Sequence, residues 1–273
     1  MAECRQALPQ ERSQTHQLWQ TVFGDTPQAQ EVFYDQCAPQ GPLVLVEEGR
    51  VESMLVLTPV SLALPGYTPC RGTYLYALAT NPDTRGKGYA AQLIHYAAQW
   101  TAQQGLDFVC TVPAQPSLFQ FFAKNGFTPA FYHLRTPLPV PVRGQASLIS
   151  PEEYVSLREE LLGSVPHIVH TPGQVAFEGQ LHGSLYRLEL PHGPGCAVVE
   201  DWGETHIVKE MLCIPGDEGA GGSLVSHLCA GLGELRTPCG RLDGLPFGAI
   251  SWLTPPPACW QQLGRGYLGL ALD

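Results

Sequence analysis

The chain has 273 residues, room for nearly two domains at roughly 150 residues each. Its 44% apolar content is ordinary for a chain that buries a core, which excludes bulk disorder. The 15 basic and 25 acidic side chains leave a formal charge of −10, and a surface of that sign repels nucleic acid and anionic membrane, so neither is expected as a partner.

Nine cysteines are spread so widely that no CxxC pair exists for zinc or redox work. They read as small buried hydrophobes, and no metal is expected. The start, MAECRQALPQERSQ, lacks the apolar run of a signal peptide, and nowhere do about 18 apolar residues follow one another. A soluble, reduced, cytoplasmic protein is the expectation.

Leu18, Trp19, Val22 and Phe23 fall at helical spacing before Gly24, which predicts a helix over 13–23. Thr26 is placed to cap a second helix that opens with Pro27 and buries Val32 and Phe33. Three strands are predicted over 43–46, 51–57 and 74–80, the first two joined by the turn Glu47-Glu48-Gly49-Arg50. Apolar positions 90, 93, 94, 97 and 98 mark a long helix over 90–101 that Gly105 stops. A strand over 108–112, a short helix over 116–125 before Gly126, and a strand over 130–136 follow.

The segment PLPVPVRG, Pro137 to Gly144, alternates prolines and excludes helix, so the domain boundary is placed there, with domains over 1–137 and 145–273 and a linker over 138–144. Residues 1–140 carry 8 basic and 10 acidic side chains, and residues 141–273 carry 7 and 15. The acidity therefore belongs to the second half, and an anion site to the first.

The second half repeats the opening pattern, which suggests a duplication. Ser150 and Glu153 form a capping box before a helix carrying Tyr154, Leu157 and Leu161. Thr171-Pro172 starts another helix, as Thr26-Pro27 does. Strands are predicted over 185–190, 196–199 and 206–214, then a glycine-rich turn over 216–222, a helix over 224–232 and a final strand over 267–272.

The chemical signal is strand, turn, glycine loop, helix: Tyr74 to Thr80, Asn81 to Thr84, Arg85-Gly86-Lys87-Gly88-Tyr89-Ala90, then the long helix. Gly86 and Gly88 permit backbone geometry that lets several N–H groups converge on one anion at the positive end of the helix. Arg85 and Lys87 add full charge, and Lys87 is one of only three lysines. A solvated turn that merely caps a buried helix is the plain alternative. A Walker loop is absent, because no GxxxxGK followed by Ser or Thr occurs. A dinucleotide fingerprint, Gly86 to Ala91, is present, but the ribose-binding acid it requires should end the next strand, and Asp107 opens that strand instead. The third candidate is RxxGxA, Arg85 to Ala90, which cradles the pyrophosphate of coenzyme A.

With the downstream helix Leu118-Phe-Gln-Phe-Phe-Ala-Lys-Asn-Gly-Phe127, the first 137 residues resemble the GCN5-related N-acetyltransferase (GNAT) superfamily. The resemblance implies an α+β fold with a mixed sheet, in two tandem GNAT-like domains, the second degenerate. It implies that Leu78, Ala79 and Thr80 pair their backbone with the pantetheine arm of acetyl-CoA. Arg85, Gly86, Lys87, Gly88, Tyr89 and Ala90 would hold the pyrophosphate, and the helix Pro116 to Asn125, carrying Phe122, would flank the arm near sulfur. It further implies a neutral primary amine that attacks the thioester directly, so that catalysis is positioning, deprotonation and oxyanion stabilisation.

One departure bears on the chemistry. Members with a general acid carry Tyr four residues before the Gly-Phe pair, where this chain has Phe122. Tyr89, Tyr96 and Tyr132 are the substitutes considered, and no general acid or base is assigned. In the second half, sliding Leu93 onto Leu224 places Glu218 opposite Lys87. A carboxylate there repels a pyrophosphate by about 1 kcal/mol or more, so this half is expected not to bind coenzyme A. Its acidity favours cationic acceptors such as polyamines, aminoglycosides or peptide amines. The HxxH pair His167 and His170 has no nearby third ligand. A non-catalytic acyl-CoA-binding protein and a nucleotide-linked oxidoreductase remain as rivals.

Overall fold

The computed structural model describes residues 2–181, 183–229, 232–239 and 244–272. In chain order the first half reads β1 (Glu3–Gln6), α1 (Arg12–Phe23), α2 (Pro27–Cys37), β2 (Leu43–Glu47), β3 (Arg50–Ala63), β4 (Cys70–Thr80), α3 (Tyr89–Gln103), β5 (Phe108–Thr111), α4 (Leu118–Lys124) and β6 (Thr128–Pro137). The second reads β7 (Ala146–Leu148), α5 (Pro151–Leu162), β8 (His167–Val169), α6 (Pro172–Leu181), β9 (Gly183–Leu190), β10 (Gly193–Asp201), β11 (Thr205–Leu212), α7 (Glu218–Leu228), β12 (Leu232–Pro238), β13 (Leu245–Trp252) and α8 (Ala258–Leu263). Among the described residues no helix is long and apolar enough to cross a membrane.

The predicted caps form. Thr26 Oγ1 accepts the Ala29 N–H at 3.2 Å, and Gly24 ends α1 in the left-handed conformation. Ser150 and Glu153 exchange reciprocal bonds at 3.2 and 3.0 Å, satisfying N–H groups that the first turn of α5 leaves open. The β2–β3 hairpin turns through Glu48 and Gly49, both at positive φ, the geometry whose twist suits a tight hairpin.

Two compact units result, neither continuous in sequence. The first comprises 1–61, 70–129 and 248–258; the second comprises 62–69, 130–247 and 259–273. In the first, β1 to β5 pair in chain order, β4 and β5 run parallel, and β13 closes the far edge of β5 antiparallel, with Ala249 opposite Thr111 and Trp252 opposite Phe108. In the second the order is β7, β9, β10, β11, β12, with β11 parallel to β12 and β6 closing β12 antiparallel, Pro137 opposite Glu234. Each half of the chain thus supplies the strand that closes the other's unit. The sequence suggested a single passage at 138–144. Those residues lie inside the second unit, where Val142 N–H donates to the Ser223 carbonyl at 3.0 Å and Pro139 faces Gly222, because an extended proline segment can lie along α7 without ending a domain.

Further elements differ from expectation; β7, β8, β12, β13 and α8 were not foreseen, and three others depart in kind. β1 carries no alternating pattern and forms through its backbone ladder to β2, Glu3 opposite Val46 to Gln6 opposite Leu43. The glycine turn over 216–222 is largely helix, since α7 starts at Glu218 and ends at Leu228; residues 230–231 of the predicted helix lie outside the described set. The segment 267–272 forms no strand. Only Tyr267 makes an isolated bridge, to His167, and the segment is buried throughout, which ties it down by packing.

The core that supports the first unit's loop gathers Leu43, Leu45, Leu55, Leu75, Leu93, Ile94, Val109 and Phe127 beneath α3. Each such side chain stabilises by about 1.5–3 kcal/mol when fully buried.

Candidate active site

The site begins where β4 leaves β5. Parallel pairing runs from Gly72 opposite Phe108 to Leu75 opposite Thr111 and ends there. Two residues on, Ala77 adopts φ 49°, a left-handed conformation that is uncommon outside glycine and turns the strand. Leu78 to Thr80 therefore continue past the ladder's end.

On its other side this segment is held. Ser53 Oγ donates to the Ala79 carbonyl at 2.8 Å and lies 3.0 Å from Thr80 Oγ1. Asn81 N–H donates to the Glu52 carbonyl at 2.9 Å. The buried Glu52 carboxylate accepts from Asn81 Nδ2 at 3.0 Å and from Thr84 Oγ1 at 2.9 Å. These bonds set the turn that delivers the chain into the glycine loop.

In the loop, Arg85 is exposed and its Nε donates to the Thr80 carbonyl at 3.4 Å. Gly86 and Gly88 sit at φ 86° and 82° with open space where a Cβ would project. Gly88 occupies the N-cap position of α3 and no side chain caps that end, so the helix dipole and the first-turn N–H groups of Tyr89 and Ala90 face outward, an arrangement suited to an anion. Lys87 is exposed, with Nζ 4.0 Å from Glu47 Oε2 and 5.6 Å from the centre of the Tyr89 ring.

The structure brings 78–80 and 85–90 together at the carboxyl end of β4. Two of the named side chains are buried. Tyr89 points inward, its ring in the core and its hydroxyl donating to Glu47 Oε2; that bond and burial push the phenol up to about 12. Only its backbone faces the loop. Phe122 is 5% exposed and packs edge-on against Phe121 and Phe127, at 5.4 Å each, beneath α3. It has no proton to give. Of the other tyrosines, Tyr96 lines a shallow cavity of about 470 Å³ along α3 with His95 and Asn125, and Tyr132 belongs to the second unit. Tyr74 and Tyr76 stack on one another, and Phe33 stacks on Tyr76 at 4.6 Å, so both serve as packing residues.

Glu47, Glu52 and Ser53 were missed. Their only signal is proximity in strand pairing, which spacing along the chain does not reveal.

The second unit's glycine segment is built differently. Asp217 stands at the N-cap of α7, fully buried, accepting the His192 N–H at 2.9 Å and His192 Nδ1 at 2.7 Å. Glu218 Oε2 accepts the Gly216 N–H at 2.9 Å. Two carboxylates thus stand at the start of α7, where Asp217 is engaged by His192 and makes no capping bond to the helix. His167 is held by Val165 O and Glu159, and His170 by Leu268 O. No group of three metal-binding side chains occurs among the described residues.

Residues 3–130 match a family model described as Acetyltransferase (GNAT) domain. No curated protein matches the sequence. Among solved structures, a probable N-acyltransferase of Enterococcus faecalis V583 superposes with TM-score 0.72 at 11% identity, over 92% of this chain and 72% of that one. A GCN5-related N-acetyltransferase from Anabaena variabilis gives 0.71 at 12%, over 92% and 72%. A tandem GNAT protein from the clavulanic acid biosynthesis pathway gives 0.52 at 16%, over 94% and 100%. The likeness is one of fold, and it runs through both halves of the chain.

Proposed function

We propose, from the premise that residues 3–130 are a GNAT acetyltransferase domain, that this protein moves an acetyl group from acetyl-CoA to a primary amine in a ternary complex. The observation that carries the reading is the ladder end at Leu75 and Thr111 set against the uncapped, glycine-flanked start of α3. The pantetheine arm would pair with the backbone of Leu78 to Thr80, and the pyrophosphate would take the N–H groups and cations of 85–90. The amine nitrogen attacks the thioester carbonyl, the C–N bond forms, the C–S bond breaks, and the amine's proton ends on the thiol. Backbone amides of Leu78 to Thr80 would polarise the thioester carbonyl and serve the transient oxyanion. No side chain is assigned as general acid, since Phe122 lacks a hydroxyl and the Tyr89 phenol is committed to Glu47. A cationic acceptor accords with the chain's charge of −10.

The test is a thermal-shift titration with acetyl-CoA, free CoA and NADH, alongside an Arg85→Glu, Lys87→Glu double variant. Binding at 100 times Kd stabilises by about 2.7 kcal/mol, seen as a rise of several degrees with both CoA species and lost in the variant. A shift with NADH alone would replace the reading with a dehydrogenase. A second reading, a non-catalytic acyl-CoA-binding protein, is favoured by Phe122. It would be supported by CoA binding without CoA release across a panel of polyamines, aminoglycosides and peptides.

A further inference from the structure

We propose that Glu47, at the end of β2, is a positioning residue for the loop 85–90, its Oε2 atom anchoring the Tyr89 hydroxyl while it parks the Lys87 ammonium. The inference rests on the reading of this loop as the pyrophosphate site.

Two observations meet at one oxygen, and a third fixes the ring. Tyr89 OH donates to Glu47 Oε2. Lys87 Nζ lies 4.0 Å from the same atom and over the Tyr89 ring. The ring itself is buried among Leu43, Leu45 and Leu93. Tyr89 is the first residue of α3, so anchoring its phenol to the β2–β3 hairpin holds the helix start against the sheet without using any backbone donor of the loop. The anchor is part-buried and directional. The Lys87 contact is a half-exposed ion pair at the outer limit of contact, of the kind that contributes little, and a diphosphate of greater charge draws Lys87 away. Glu47 then stays behind as a negative charge near the bound phosphates, with Glu48 and Glu52 also acting on the Tyr89 phenol. The one side chain therefore has two opposed effects: it organises the loop through Tyr89 and weakens anion binding through its charge.

Two variants separate these effects, measured by calorimetric titration of the full chain with CoA and with pantetheine, which lacks the diphosphate. Glu47→Gln keeps an oxygen for Tyr89 and removes the charge. CoA should bind about three- to tenfold more tightly at low salt, as expected for loss of a repulsion of this range, with the gain shrinking at high salt and pantetheine unaffected. Tyr89→Phe keeps the ring and removes the anchor, so CoA binding should weaken severalfold with an unchanged salt slope. A native chain that binds CoA with an affinity Glu47→Gln does not alter, or a change equal for pantetheine, overturns this proposal alone. A native chain that binds no CoA overturns the loop reading and this proposal with it. The anchor also has a readout that needs no ligand: the Tyr89 phenol, isolated as the difference between native and Tyr89→Phe ultraviolet titrations, should titrate lower in Glu47→Gln. An unmoved phenol counts against the anchor.

Discussion

Thr111 Oγ1 donates to the Leu75 carbonyl at 3.0 Å, and these two residues also form the last rung between β4 and β5. The hydroxyl thus ties the two strands together at the point where they part. Both residues are buried, so water does not replace the bond. Thr111→Val keeps the shape and removes the donor. It should cost about 1–3 kcal/mol in denaturant unfolding, the range for stranding a buried polar group. The loss of affinity for acetyl-CoA should exceed what the stability change alone produces, because the parting of the strands is the feature on which the pantetheine reading depends.

The closure of β5 by β13 makes a prediction about the halves. A chain ended after residue 140 lacks Ala249, which belongs to the core beneath α3, and leaves Phe108 to Thr111 as an open edge. Such an edge invites pairing with other chains. The shortened chain should aggregate or lack a cooperative thermal transition. A sharp transition near that of the full chain would show that β13 is dispensable.

Arg158 and Glu210 form a fully buried ion pair in the second unit, at 2.9 and 3.2 Å. Tyr154 OH donates to the same carboxylate at 2.8 Å, and Arg158 also donates to the carbonyls of Ile168 and Leu268 at 2.8 and 3.0 Å. Removing one partner strands the other charge, so Arg158→Met should cost about 3–5 kcal/mol. Arg158→Met with Glu210→Leu should cost less than the two single changes combined. Gly269→Ala should be destabilising as well, since Gly269 sits at φ 77° and an added Cβ would collide with Glu210 Oε1.

Asp217 offers a pH signature. Burial opposes its ionisation, but the ring and backbone bonds from His192 outweigh burial and hold the carboxyl below its usual range. A depressed carboxyl contributes stability that is fully present above the unfolded value, about 3.9, and is lost as pH falls through the folded one. Unfolding measured from pH 6 down to pH 2 should show native and Asp217→Asn differing above about pH 4 and converging below it. A gap that stays constant to pH 2 would contradict the assignment.

Much of the fold was legible because it is local. Thr26, Ser150 and Thr171 announce helix starts through bonds three residues away, and the 3.6-residue spacing of Leu93, Ile94 and Ala97 is enough to predict α3. The loop 85–90 was readable for the same reason, since glycine freedom and cationic charge are properties of the segment itself. That the Tyr89 and Phe122 side chains are buried was not legible, because an aromatic beside a motif looks the same in sequence whether it points out or in.

By itself, then, the sequence determined the capped and strongly periodic helices α1, α2, α3, α5 and α6, where the glycine loop lies and that the net charge resides in the second half. Tertiary structure alone decided that β13 completes the first unit and β6 the second, that Glu47 and Glu52 stand under the loop, and that Asp217 at the second unit's helix start pairs with His192. Each of these depends on residues brought together across strands. Strand partnership is set by long-range packing and backbone pairing, and a one-dimensional pattern records the period of a strand without naming its neighbour.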